Sequence, residues 1–312
     1  FIPANGNVFF WSKLDNPGDI LPQNFADAEI FPDPNKVVYT QKSSIYVGGS
    51  RSFQRFTYDG ARDTYITYKG EESTVGYVGG ITNYGENFAF VGNGPDGDFN
   101  VYVMAGQPQA ISNDYVSELI NDEYSLLDVE NIVGQSFEWK GTTVLVFRFP
   151  RHTLVFYGKG WAFWQSGTSG EEIRTWRINH LQTYYNFTWT GDATGSTIGV
   201  LRDSGKEYGS DLEWSIKHSV TAAPETNYTI KRVICRATMG LAQGDTQPRI
   251  SLSVAKDGRH FDAEKYKTLG STGQFNKQLR WGSPVAKGYD SITFLHKGYG
   301  NVVMNIDGVF FE

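Results

Sequence analysis

The sequence predicts an all-β chain: a partial β-propeller of short antiparallel blades, then a C-terminal β-sandwich of jelly-roll-like kind, with one short helix near residues 113–124. Three observations carry this. Apolar residues alternate mostly with a period of two, the spacing of half-buried strands. Glycine (35 of 312 residues) and aromatic residues (15%) are both abundant, which favours strands and tight turns over helices. Finally, segments 136–139, 142–149, 153–157 and 161–165 are four strand candidates within about 30 residues, the content of one propeller blade. Three or four such groups precede residue 210; simple β-meanders in a sandwich are the alternative arrangement.

The elements follow in order. Val8, Phe9, Phe10 and Trp11 read as an interior strand, and the chain begins at Phe1 without methionine. The expectation is a fragment or processed product whose N-terminal part is absent. A connection rich in proline (Pro17, Pro22, Pro32, Pro34) leads to strands at 36–40, 44–47 and 53–58. Gly76, Gly79 and Gly80 read as a permissive loop. Segments 87–91 and 99–104 form a hairpin around Asn93-Gly94-Pro95-Asp96-Gly97-Asp98, a run dense in turn formers. Asn113 or Asp114 caps the helix, in which Val116, Leu119 and Ile120 fall at helical spacing and Glu118 favours the N-terminal end. Segments 142–149 and 153–157 are rich in β-branched and aromatic residues, flank the corner Pro150-Arg151-His152, and read as a hairpin covered on both faces. Trp161, Phe163 and Trp164 close that segment.

The rhythm changes near residue 210, where Gly and charged residues dilute the apolar pattern, so the expected domains are 1–210 and 211–312. Alternation is cleaner in the second. Ile250, Leu252 and Val254 oppose Arg249, Ser251 and Ser253; Val233, Cys235, Ala237 and Met239 share a face; Val302, Met304 and Ile306 share another. One-sided burial of this kind suits a two-layer sandwich.

Composition limits the function. A mass of 34.9 kDa supports a full-sized core without staples. A formal charge of −6 argues against a broad nucleic-acid-binding face, though not against DNA passing nearby without tight binding. Cys235 is the only cysteine, so an intrachain disulfide and a multi-cysteine metal site are excluded, which fits assembly in a reducing compartment. No apolar run reaches the length of a membrane span, and no charged start precedes an apolar stretch.

No reaction centre emerges. The histidines (His152, His180, His218, His260, His296) show no zinc spacing, and HExxH and CxxC are absent. Asp96, Asp98 and Asn100 imitate a calcium loop, but Val101 stands where glycine is needed and no bidentate Glu follows. Neither a G-x-S-x-G elbow nor a phosphate-binding G-x-x-x-x-G-K-[ST] loop occurs. Residues 253–261, SVAKDGRHF, resemble an Asp-box hairpin, a folding device in which Asp257 bonds turn amides and Gly258 takes positive φ. Trp161, Trp164, Trp176, Trp189 and Trp214 are stacking candidates for sugar, with core packing the simpler role. The glycosylation triplets at Asn186 and Asn227 are discounted without a secretion signal. No catalytic, cofactor-binding or metal-binding residue is nominated.

Four stretches resemble one family. Residues 7–15, NVFFWSKLD, look like its Y-x-W/F-S strand. Residues 42–56 look like its next blade, with Gly48, Gly49 and Ser50 as a loop before an aromatic strand. Residues 149–157, FPRHTLVFY, are close to its L-P-R-H-x-L-V-Y segment, which a tryptophan strand follows. Residues 250–261, Arg280-Trp281 and 302–312 repeat the order of its C-terminal domain. The chain thus resembles the packaged-DNA stabilisation protein, or tail hub protein, of Salmonella-type short-tailed phages (podoviruses). The likeness covers nearly the whole chain, with 149–157 its specific stretch and the family's N-terminal third lacking a counterpart. Loops 17–34 and 222–228 depart from it, so contacts made there do not transfer.

The resemblance implies a structural virion protein and not an enzyme. It implies a hexameric ring below the portal and adaptor ring that closes the DNA exit channel and stabilises packaged DNA. It also implies attachment to a tail needle and tailspikes, DNA passage without sequence-specific binding, no cofactor, and assembly in the host cytoplasm. The alternative is a glycan-binding or glycan-cleaving propeller of the sialidase or depolymerase kind, which needs Arg, Tyr and carboxylates converging on one face. A β-propeller scaffold for protein recognition is a third reading.

Overall fold

The computed structural model describes residues 6–13, 16–28, 31, 33–60, 64–67, 73–126, 131–158, 160–167, 174–221, 228–238, 248–256, 259–270, 273–274, 277–288, 291–299 and 305–312. The chain divides into two compact units, Phe1–Gln165 with Arg174–Val200, and Ser166–Ile173 with Leu201–Glu312.

The first unit is a series of small antiparallel sheets. Hairpin β1 (Val8–Phe10) with β2 (Phe25–Asp27) comes first. Three four-stranded meanders follow: β3 (Asn35–Gln41), β4 (Ser44–Gly49), β5 (Phe53–Asp59), β6 (Thr64–Thr67); then β7 (Gly76–Tyr84), β8 (Asn87–Asn93), β9 (Phe99–Ala105), β10 (Gln107–Ala110); then, after helix α1 (Asp114–Leu126), β11 (Val133–Trp139), β12 (Thr142–Arg148), β13 (Thr153–Tyr157), β14 (Gly160–Phe163). Two-residue strands β15 (Gln165–Ser166) and β16 (Arg174–Thr175) come next in the chain. A three-stranded sheet, β17 (Ile178–Tyr184), β18 (Phe187–Asp192) and β19 (Ile198–Val200), ends the unit. Four-stranded antiparallel meanders laid side by side are propeller blades.

Alternation explains how the blades pack. In β8, Phe88 and Phe90 face the first blade, joining a cluster with Tyr46 and Phe53. Ala89 and Val91 face the third, joining Leu145, Phe147, Leu154 and Phe156. All four β8 side chains are buried, because a blade between two others has no solvent face. The same holds for Val144, Leu145, Val146 and Phe147 of β12. The hairpin expected to be covered on both faces is so covered. Its strands and the helix lie where the sequence places them.

The glycines of β7 are a correction: Gly76–Tyr84 is a strand, not a loop. A Cβ at Gly76 would collide with the Ser50 carbonyl, and one at Gly134 with the Gly80 carbonyl. Adjacent blades therefore meet backbone to backbone, and Gly80 takes φ +65° with a register shift beside it. Gly48 and Gly49, read as loop, likewise end strand β4.

The second unit opens with the short hairpin β20 (Lys206–Glu207) and β21 (Ser210–Asp211). Strands β22 (Trp214–Thr221), β23 (Tyr228–Thr238), β24 (Arg249–Ala255), β25 (Lys265–Thr268), β26 (Lys277–Gly288), β27 (Ser291–Tyr299) and β28 (Asn305–Phe311) form two antiparallel sheets, ordered β22-β27-β24-β25 and β26-β23-β28. Val233, Cys235 and Ala237 of one sheet share a core with Ile250, Leu252, Ile292 and Phe294 of the other, which makes the unit a β-sandwich. Ser251 and Ser253, expected on an open face, are also buried. Met239, Val302, Met304, Asp257, Gly258 and Asn227 lie outside the described residues.

Candidate functional site

Polar side chains in the blades hold corners and seams. The Pro150-Arg151-His152 corner is a tight turn closed by the Phe149 amide donating to the His152 carbonyl at 2.8 Å. It is anchored from the helix. Glu123, 3% exposed, lies on the buried stripe of α1 with Val116 and Ile120. Its Oε1 accepts the Arg151 amide at 3.0 Å and His152 Nδ1 at 2.7 Å. The helix itself is capped by Asn113, whose Oδ1 accepts the Val116 amide at 2.9 Å. Arg151 and His152 therefore set the position of the β12–β13 hairpin against α1. Glu123 was not singled out from sequence. Its signal is its place seven residues after Val116, on the apolar face of the helix.

The other residues flagged by sequence do not come together. Asp96 belongs to the β8–β9 turn, where the Gly94 amide donates to the Asp98 carbonyl at 2.9 Å and Gly97 takes φ +87°. Asn100 faces away from a loop role: its Oδ1 accepts the hydroxyls of Ser112 and Ser117 beside the helix. Among the described residues no three His, Cys, Asp or Glu side chains approach closely enough to hold a metal ion, and no helix is long and apolar enough to cross a membrane.

Most of the tryptophans pack. Trp161 donates to the Ile111 carbonyl at 2.9 Å, Trp176 is buried edge-on against Trp164, and Trp214 lies over Gly298 on β27. Trp189 differs, standing about 41% exposed on β18. At the base of its hairpin the Arg177 guanidinium grips Asp192 with two hydrogen bonds and, with the Thr194 amide and hydroxyl, holds that carboxyl well below the usual carboxylate range. Directly after the Asp-box segment, Asp262 accepts the Val254 amide at 2.6 Å.

Seams carry polar ties as well. Tyr39 donates to Asn83 Oδ1 at 2.6 Å between the first and second blades, Thr82 to Ser136 at 3.1 Å between the second and third, and Gln135 to the Asn179 carbonyl at 3.2 Å beyond that.

In the second unit His296, 1% exposed, stacks on His218 and lies beside Trp281. Burial, reinforced by His218, pushes its pKa down to about 4.

Blades locked by glycine approaches, polar rungs and a helix-anchored corner define a structural propeller scaffold joined to a β-sandwich. Residues 1–205 match the family described as bacteriophage P22 Gp10, β-propeller, and the chain belongs to this phage stabilisation family. It is a phage structural protein of the kind that stabilises packaged DNA. No curated protein matches the chain.

Proposed function

We propose that the chain is a subunit of the tail hub of a short-tailed phage. Six copies form a ring below the portal and adaptor ring, close the DNA exit channel after packaging, and carry the tail needle with tailspikes around it. The observation that supports this reading most is the family match over residues 1–205, which includes the helix-anchored corner at 149–157. The architecture agrees with it. A series of rigid blades with loops at their ends suits a ring subunit, whose contacts are heterologous and close by rotation. The charge agrees too: a net −6 disfavours retention of a polyanion, whereas basic walls would bind phosphate and slow its exit.

Mixing the purified chain with portal–adaptor rings, followed by size exclusion with light scattering, tests the reading. Co-elution as a closed ring is expected. A persistent monomer that ignores those rings but binds or hydrolyses glycans would overturn it in favour of the glycan-directed propeller. Mainly Lys and Arg along the channel wall of the assembled ring would contradict the electrostatic part alone.

A further inference from the structure

The net charge of −6 conceals a division. Residues 1–210 carry 15 Lys and Arg against 24 Asp and Glu, whereas residues 211–312 carry 13 against 10. Cations gather in one sheet of the sandwich: strands β23 and β26 hold six Lys and Arg and no Asp or Glu. Alternation sends their side chains two ways. Val233, Cys235, Ala237, Leu279 and Trp281 enter the core. Arg232, Ile234, Arg236, Gln278 and Arg280 therefore stand on the outer face. Register sets that face in three rows across β26, β23 and β28: Gly282–Arg232–Glu312, Arg280–Ile234–Phe310 and Gln278–Arg236–Gly308. Arg232, Arg236 and Arg280 are exposed, Ile234 is half-buried among them, and Phe310 is 45% exposed.

The contacts on this face leave charge to spare. The Arg236 guanidinium lies over the Phe310 ring, 4.8 Å from its centroid, and Arg280 donates to Gln278 Oε1 at 2.7 Å. Among the described residues neither arginine has a carboxylate partner. Arg232 meets Glu312 at 3.2 Å, an exposed pair that a competing carboxylate displaces at little cost. The other sheet treats a cation differently: Lys297 on β27 is held between Glu213 at 3.4 Å and Glu264 at 3.2 Å. Arginine and aromatic side chains around a small apolar centre are the composition of an interface hot spot. A planar guanidinium also takes a carboxylate through two parallel hydrogen bonds. A long nucleic acid fits less well, because binding it tightly takes a run of neutralised phosphates, and this face sets Glu312 at its edge.

We infer that the outer face of β26–β23–β28, centred on Arg236, Arg280 and Phe310, docks a carboxylate-rich segment of another protein. Carboxylates of that segment pair with Arg236 and Arg280, and with Arg232 in place of Glu312. Ile234 and Phe310 give the apolar floor between them. Charge complementarity selects this partner: the face is cationic within a chain that is acidic elsewhere, so an acidic segment is drawn to the sandwich and repelled by residues 1–210.

Fluorescence anisotropy of the full chain with a fluorescein-labelled oligoglutamate peptide, at low ionic strength, tests it. Wild type should bind, with an affinity that falls as salt rises. Arg236→Gln combined with Arg280→Gln should weaken binding about tenfold or more, with unchanged circular dichroism and melting. Phe310→Ala removes no charge and should still weaken it about twofold to fivefold, because Arg236 loses the ring it lies over. Lys256→Gln combined with Lys267→Gln, an equal loss of charge at exposed positions outside this face, should leave binding unchanged. A wild-type chain that ignores the peptide would overturn the inference, as would a loss in the lysine variant as large as in the arginine variant. Tighter binding of an oligothymidylate of equal charge would overturn it in favour of nucleic acid.

Discussion

Strand β12 in the third blade and strand β23 in the sandwich are both central in their sheets, yet they bury themselves differently. Val144, Leu145, Val146 and Phe147 are all buried, alternate residues facing different seams. In β23 Ile230, Val233, Cys235 and Ala237 enter the core, and Lys231, Arg232 and Arg236 stay in solvent. A blade lies between two sheets, and a sandwich strand lies on one. The difference teaches that the first unit is specified at its seams, where a single substitution touches two blades, and the second within one shared core.

The largest expected effect breaks a seam. Phe147→Ala opens a cavity between the second and third blades and should destabilise the first unit by about 3–5 kcal/mol in denaturant titration. A serine scan sharpens the contrast. Every position from 144 to 147 should cost stability, whereas in β23 Val233, Cys235 and Ala237 should be sensitive and Arg232 and Arg236 tolerant.

The next effect belongs to the sandwich. His296 has a folded pKa of about 4 against an ordinary 6.5. The unfolded chain binds the proton first, so this contribution is intact above pH 6.5, declines as pH falls toward 4 and levels off below. The loss is on the order of 3 kcal/mol at full protonation. His296→Phe should flatten that window in pH-dependent melts of the second unit, and the blades should not share it.

Smaller effects follow. Gly134→Ala forces a methyl group onto the Gly80 carbonyl and should cost about 1–3 kcal/mol, the range for overpacking a tight contact. Glu123→Ala leaves the Arg151 amide without its acceptor and should cost about 1–3 kcal/mol. Proton exchange at the corner should quicken with little change elsewhere. Least of all, Lys42→Ala removes a surface pair with Glu86 and should leave the melting transition where it is.

Much of this was legible in the sequence, because strand alternation and turn chemistry are local. The 142–157 hairpin announced itself by being apolar on both faces, and Asn113 or Asp114 marked the helix start, with the structure assigning the cap to Asn113. What the sequence did not show depends on what lies opposite a residue. Gly76 and Gly80 read as loop because glycine signals freedom, yet here it permits two backbones to touch. Glu123 draws no notice in the sequence, because its role depends on the corner that the fold brings beside it. Strand β18 is not among those expected from the sequence, and which of its faces is buried is set by the neighbouring blade. The family likeness was most specific in one stretch, 149–157, which contains the corner that Glu123 anchors.

DNA retention tests the central claim, that this chain stabilises packaged DNA as a structural component, most directly. Phage heads filled with DNA but assembled without the chain are incubated with and without the purified protein, and nuclease-accessible DNA is measured. The account predicts that heads leak without the protein and retain their DNA once it is added. Equal retention with and without it would contradict the account.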